Sequence, residues 1–160
     1  KLTFSTCSEQ VRLSIWKESW QLVLAQPFFG AGLSGYPLAF EPFHKADYIE
    51  IFQYPHNILL NFWIELGILG LVAFLWLMFE YARLCISVLK RYHPRDFDEL
   101  WGVALGLLLV IVVIFVHGIV DVPYFKNDLA VQFWMMLGLA LALIRVKVEA
   151  KKRKTHGHNT

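Results

Sequence analysis

The sequence predicts an all-α membrane protein, with three transmembrane helices preceded by an outward-facing, largely helical segment. Of its 160 residues, 57% are hydrophobic and only 18% are charged, whereas soluble domains have about 45–50% and about 25%. Three long apolar runs follow a first third of the chain that has none. The net charge of +2 is small and no basic stripe is present, so we expect no nucleic-acid partner. We interpret the chain as the C-terminal part of a longer membrane protein.

The first segment, residues 1–55, is expected to lie outside the membrane and to contain an amphipathic helix over about 8–25. Thr6 and Glu9 have the spacing of a capping box, which marks helix starts. Trp16 and Trp20 recur at a helical interval, and tryptophan is favoured at membrane interfaces. Pro27 and the glycines that follow it predict a turn after this helix.

The three predicted transmembrane helices cover residues 56–80, 100–120 and 129–145, each close to the length of about 20 apolar residues that a span needs. Residues 81–99 and 121–128 connect them, and residues 146–160 form a basic tail, of which we expect residues 151–160 to be disordered. Lys and Arg are concentrated in 81–99 and in the tail. The positive-inside rule therefore places both in the cytoplasm, and residues 1–55 and 121–128 outside.

Polar side chains in and beside the apolar runs are the candidate functional residues, because such groups are costly in a membrane. They are His56, Asn57, Asn61, Glu65, His117 and Asp121. All lie at the predicted outer ends of the first two spans. Structural roles remain open for each: Asn57 as a helix cap, Asn61 and Glu65 as partners inside a bundle, and His117 with Asp121 as a mutually fixed pair. Gly67 and Gly70 have a spacing that favours close helix packing.

Arg12 in the outer segment adds a group suited to phosphate, because its guanidinium forms bidentate hydrogen bonds. A histidine at the same level can take a proton from an attacking hydroxyl near neutral pH. No Asp-x-Asp pair occurs in the outer segment, and we expect neither a metal nor a cofactor. These residues predict metal-independent transfer from a lipid-linked phosphate donor. The alternative is a transporter or channel component with an outer polar vestibule.

Five motifs occur in a characteristic order along the chain. They are Arg12-x3-Trp16, Pro27-Phe28-Phe29-Gly30-Ala31-Gly32, Pro55-His56-Asn57, Glu65-Leu66-Gly67-x2-Gly70 and His117-Gly118-Ile119-Val120-Asp121-Val122-Pro123. Their order resembles that of the O-antigen ligase/polymerase family, which comprises polytopic membrane glycosyltransferases of lipopolysaccharide and other envelope polysaccharides. The resemblance extends over residues 9–144.

The resemblance implies transfer of a glycan from an undecaprenyl-diphosphate carrier to an acceptor hydroxyl. The reaction would occur on the outer side of the bacterial cytoplasmic (inner) membrane. The acceptor would be a lipid A core, another glycan repeat or a protein.

The resemblance further implies that Arg12 binds the donor diphosphate and that His56 is catalytic. The resemblance also assigns substrate binding to Asn57, Glu65, His117 and Asp121. The general base stays open among His56, His117 and the carboxylates. Family members have additional spans and outer-face arginines upstream, so this chain is expected to be inactive alone.

Overall fold

The computed structural model describes residues 4–45, 51–90, 99–122 and 127–156, and every regular element in these ranges is a helix. The expectation of an all-α protein is therefore confirmed for this part of the chain. The helices are α1 (Phe4–Ala25), α2 (Tyr36–Phe40) with a 3-10 turn after it (Glu41–Phe43), α3 (Ile58–Leu89), α4 (Glu99–Gly118) and α5 (Asn127–His156). The chain divides into two compact units, Lys1–Trp76 with Phe115–Pro123, and Leu77–Ile114 with Tyr124–Thr160.

Helix α1 is already regular at Thr6, so the expected capping-box start at this residue is wrong. Its buried face meets α2 and the first part of α3 in one apolar core. The buried members of that core are Leu22, Val23, Tyr36, Phe40 and Ile64. The Ser19 and Tyr36 hydroxyls, 2.9 Å apart, share a buried hydrogen bond across the same contact. Burial raises the pKa of Tyr36, so its hydroxyl stays neutral in this core.

Within the described ranges, two helices are long and apolar enough to cross a membrane: α3 and the Leu100–Gly118 part of α4. The third apolar stretch, Ala130–Leu143, is shorter, so a third span remains a prediction. α4 ends at Gly118, where the backbone N–H groups of Val120 and Asp121 both donate to the His117 carbonyl. This closing turn places Asp121 directly beyond the helix.

Both basic segments are more helical than expected. α3 continues to Leu89, well into the predicted 81–99 connection, because apolar residues keep a helical spacing beyond position 80. Met78, Tyr81, Cys85 and Val88 form this buried stripe. α5 likewise runs to His156, so the expectation of a disordered segment 151–160 is wrong for residues 151–156. Residues 91–98 and 157–160 of these two segments lie outside the described ranges.

Helix α3 is interrupted at Gly67, whose backbone has φ 71° and ψ −176°. Only glycine adopts such angles readily. The loop after α1 fills the interruption: Ala31 N–H donates to the Ile64 carbonyl at 2.6 Å, Gly32 N–H to the Glu65 carbonyl at 2.9 Å, and Ile68 N–H to the Pro27 carbonyl at 3.0 Å. The freed backbone groups of the helix are thus paired with loop backbone.

Glycine is also required for the close approach of these two backbones. A Cβ on Gly67 would collide with the Phe28 carbonyl, and a Cβ on Gly30 would lie 2.6 Å from the Glu65 carbonyl oxygen and the Gly67 nitrogen. Gly67 therefore permits contact between a helix and a loop, and the expected role in helix–helix packing does not describe it. We call the contact between residues 27–34 and 64–68 the loop–helix joint.

Candidate active site

His56 is held in an unusual backbone conformation by aromatic neighbours. Its φ is +50°, a left-handed angle that costs a residue with a side chain free energy. The indole N–H of Trp16 in α1 donates to the carbonyl of the preceding residue, Pro55, at 2.9 Å. The rings of Phe52 and Tyr54 stand edge-on to the imidazole, with centroids 5.1 and 4.8 Å away. These contacts fix the direction in which His56 points.

Asp121 is the polar partner of His56. The His56 Nδ1 lies 3.3 Å from Asp121 Oδ1, which also accepts the Val122 backbone N–H at 2.8 Å. The other carboxylate oxygen lies 3.9 Å from the His117 Nε2. Burial alone would raise the pKa of Asp121, but the Val122 N–H and the two histidines together lower it below its ordinary value. Because the carboxylate accepts at Nδ1, it leaves Nε2 of His56 as the nitrogen available to a substrate.

Asn57 joins the start of α3 to the turn that carries Asp121. Its Oδ1 accepts the Leu60 backbone N–H at 3.0 Å, which is the hydrogen bond of a helix N-cap. Its Nδ2 donates to the Ile119 carbonyl at 3.1 Å. The structural role anticipated for Asn57 is therefore present, and a second contact fixes the segment 119–121 beside His56.

Arg12 and His56 line the same cavity. This cavity has a volume of about 200 Å³ and is lined by Val11, Arg12, Ile15, Phe52 and His56. Arg12 lies one helical turn before Trp16 in α1. The hydrogen bond from Trp16 to the Pro55 carbonyl therefore also holds Arg12 near His56. Among the described residues, no carboxylate is within ion-pair distance of Arg12. A half-buried cation beside a histidine suits an anionic ligand.

Glu65 lies elsewhere, in the loop–helix joint. It is 3% exposed, and its Oε1 accepts the Ser34 backbone N–H at 3.1 Å. Its Oε2 and both polar atoms of the fully buried Asn61 have no partner among the described residues. Glu65 does not line the cavity of Arg12 and His56. The stripe of Asn57, Asn61 and Glu65 thus begins at the cavity and continues into the protein core.

Sequence reasoning missed the aromatic residues that surround His56. Phe52 and Tyr54 precede it at i−4 and i−2, and their clustering before a Pro-His pair was the available signal. It also missed the buried pair of Glu18 and His44, whose Oε2 and Nδ1 are 3.1 Å apart. That pair fastens the segment after α2 to α1, since the Lys45 backbone N–H also reaches Glu18 at 3.4 Å.

Comparison with known proteins identifies the segment that holds most of this site. Residues 5–75 match the family model described as O-antigen ligase. No curated protein and no solved structure gives a significant match to the chain. The matched segment includes Arg12, His56, Asn57, Glu65 and both sides of the loop–helix joint, while His117 and Asp121 lie beyond it. This match, over less than half of the chain, supports an O-antigen ligase family fragment.

Proposed function

We propose that the chain is the C-terminal part of a membrane glycosyltransferase that transfers a glycan from undecaprenyl diphosphate to an acceptor hydroxyl. One observation carries the proposal: Arg12 and His56 line one cavity, and Asp121 lies beside Nδ1 of the same imidazole. The family match of residues 5–75 supports ligase-like chemistry in general. The acceptor is a lipid A core, a further glycan repeat or a protein.

His56 serves as the general base in this proposal. A neutral imidazole that donates its Nδ1–H to Asp121 presents the lone pair of Nε2 to the acceptor hydroxyl. Asp121 keeps this tautomer and stabilises the imidazolium that forms when the proton is taken. Its lowered pKa keeps the carboxylate ionised at neutral pH. His117 supplies a second contact to the same carboxylate.

Arg12 meets the negative charge of the leaving group. The acceptor oxygen forms a bond to the anomeric carbon while the bond from that carbon to the diphosphate oxygen breaks. The hydroxyl proton goes to His56 Nε2, and the carrier diphosphate departs with the bonding electron pair. A guanidinium can bind two phosphate oxygens at once, and such stabilisation of developing charge contributes much of the rate. No metal or cofactor takes part in this scheme.

The proposed location is the bacterial cytoplasmic membrane, with the cavity on the outer side and the C-terminus in the cytoplasm. Lys and Arg concentrated in 81–99 and 146–160 support this orientation. The short apolar helix Ala130–Leu143 would be the third span. A second arginine for the diphosphate would come from the upstream part of the protein.

The interruption of α3 raises the alternative of a transporter, because transporter sites are often built on broken helices. In those sites the freed backbone groups coordinate the substrate. Here the Ile64 and Glu65 carbonyls and the Ile68 N–H are already paired with the loop of residues 27–34. These three backbone groups are therefore not free to coordinate a substrate, which favours the enzyme.

The test uses the full-length protein in its host, with His56→Ala and Arg12→Ala made separately. Transfer should fall by about 100-fold or more in each variant, and unreacted carrier-linked glycan should accumulate on the outer face of the membrane. That location is measured with a membrane-impermeant glycosidase. Lys17→Ala is the matched control, since Lys17 is an exposed basic residue of the same helix.

Each other outcome contradicts the proposal. Glycan that accumulates on the cytoplasmic face would identify a transporter. A glycan profile unchanged in both variants, at normal membrane abundance, would exclude catalysis by this cavity.

A further inference from the structure

The loop of residues 27–34 carries large apolar side chains that are mostly exposed. Phe29 is 88% exposed, and Phe28 and Leu33 are 65% and 72% exposed. Leu24 and Leu38, on either side of the loop, are exposed to a similar degree. Single exposed apolar residues are common, but a contiguous group marks a surface that contacts something apolar.

Hydrogen bonds fix the level of this loop along α3. Its backbone pairs with Ile64, Glu65 and Ile68 at the interruption of the helix. The interruption lies nine residues after the start of α3, which is about 13 Å along the axis at 1.5 Å per residue. The hydrocarbon core of a bilayer is about 30 Å thick, so a loop at this level lies within one leaflet when α3 begins at the membrane surface.

Several backbone groups of the joint are paired within the protein. Non-helical backbone at membrane depth is tolerated only where it is buried in protein or lines a water-filled cavity. The carbonyls of Ile64 and Glu65 and the N–H of Ile68 are paired with the loop, and the Ser34 N–H is paired with the Glu65 side chain. In water none of these backbone groups would need a protein partner.

We infer that residues 27–34 form a re-entrant loop that enters the outer leaflet and presents Phe28, Phe29 and Leu33 to lipid acyl chains. The occupant of this surface is lipid, because the surface is continuous in depth with the exposed apolar face of α3 at Leu69 and Val72. This places part of the segment 1–55, expected to lie wholly outside the membrane, inside it. The inference concerns membrane contact and is independent of the proposed transfer reaction.

The test is site-directed spin labelling of the full-length protein with its native cysteines replaced by serine. The protein is reconstituted in vesicles of phosphatidylethanolamine and phosphatidylglycerol. Labels are placed by Phe29→Cys and Leu33→Cys in the loop, by Leu69→Cys as the lipid-facing reference at the same level, and by Lys45→Cys as the exposed polar reference. Power saturation then compares collisions with oxygen, which concentrates in lipid, and with a water-soluble nickel complex.

Labels at 29 and 33 should collide more with oxygen than with nickel and give the same depth as the label at 69, while the label at 45 should show the reverse. Nickel access at 29 and 33 equal to that at 45 would place the loop in water and overturn the inference. Low collision with both agents would mean that polypeptide covers the loop, which overturns it equally. The loop carries two labelled positions, so failure of one variant to fold leaves the other. No turnover is measured, so the result stands apart from the transfer assay.

Discussion

The first part of α3, from its start to the interruption at Gly67, makes two contacts that differ in character, one at each end. At its start, His56 and Asn57 meet the segment after α4 through side chains that are partly exposed, with His56 in a strained conformation beside a cavity. At its other end, Gly67 meets Gly30 through backbone atoms, with no room for a Cβ on either glycine. Both contacts fall within the motifs that resemble the O-antigen ligase family, and the residue types alone give no reason to separate them.

The difference is one of burial, and it separates the proposed reactive residues from the residues that hold the scaffold within one set of motifs. Glu65 and His56 lie nine residues apart in the chain and both are ionisable, yet Glu65 is buried in α3 and accepts a loop N–H, while His56 precedes α3 and lines a cavity. A change at the first contact should therefore alter reaction rate with little effect on stability. A change at the second contact should do the opposite.

The largest expected effect is on activity, from Arg12→Lys. Lysine keeps the charge but loses the two parallel N–H donors that match a diphosphate, so kcat/KM for the lipid-linked donor should fall by about 100-fold or more. The measurement is a transfer assay with the purified full-length protein, accompanied by its thermal unfolding temperature. Unfolding should be unchanged, because Arg12 has no ion-pair partner to lose among the described residues. Near-normal kcat/KM would refute phosphate binding at this position.

The next effect is on stability, from Gly67→Ala. The new methyl group would meet the Phe28 carbonyl, and the positive φ would be strained. Strain of this kind and overlap in a packed region each cost about 1–3 kcal/mol. Gly106→Ala is the matched control, because a Cβ there has nothing within 4 Å. Thermal unfolding of the full-length protein in detergent should show a clear loss for Gly67→Ala and no loss for the control. Equal stability of the two variants would mean that the joint is not a structural constraint.

The sequence predicted the helical class and the first two apolar spans because these depend on local hydropathy. His56, His117 and Asp121 could be predicted as candidates because ionisable residues stand out in an apolar setting, and Arg12 because its guanidinium suits phosphate. The pairing of His56 with Asp121 could not be predicted, since it joins residues 65 positions apart. Asn57, next to His56, donates a hydrogen bond to the Ile119 carbonyl and so joins the segment before α3 to the segment after α4.

The loop–helix joint was beyond prediction for a different reason. An apolar run that contains Gly67 reads as one continuous helix, because a single glycine in a helix costs only about 1 kcal/mol. What interrupts the helix is the partner loop, which supplies three backbone hydrogen bonds in place of those lost. A sequence pattern does not show that residues 27–32 and 64–68 meet, so the hydrogen bond from the Ser34 N–H to Glu65 could not be predicted.

The smallest expected effect is on the acid dependence of stability, and it concerns only the contact between His56 and Asp121. The pKa of Asp121 is lowered from its ordinary value of 3.8 by the Val122 N–H and by His56 and His117, against the opposing effect of burial. The ionised carboxylate therefore stabilises the folded state above that value, and this contribution is lost as the pH falls through the lowered pKa. Because the Asp121 side chain is 40% exposed, the contribution should stay below about 1 kcal/mol.

Asp121→Asn lacks this ionisation and provides the comparison. Between about pH 5 and about pH 2.5, the wild-type protein should lose its stability advantage over Asp121→Asn, while Gly67→Ala, which leaves Asp121 intact, should keep the wild-type acid dependence. Thermal unfolding of the three proteins across this range measures both. If the wild type and Asp121→Asn show parallel curves, the carboxylate does not favour the folded state through its charge. Asp121 would then hold His56 only as a hydrogen-bond acceptor, a role that asparagine can also fill.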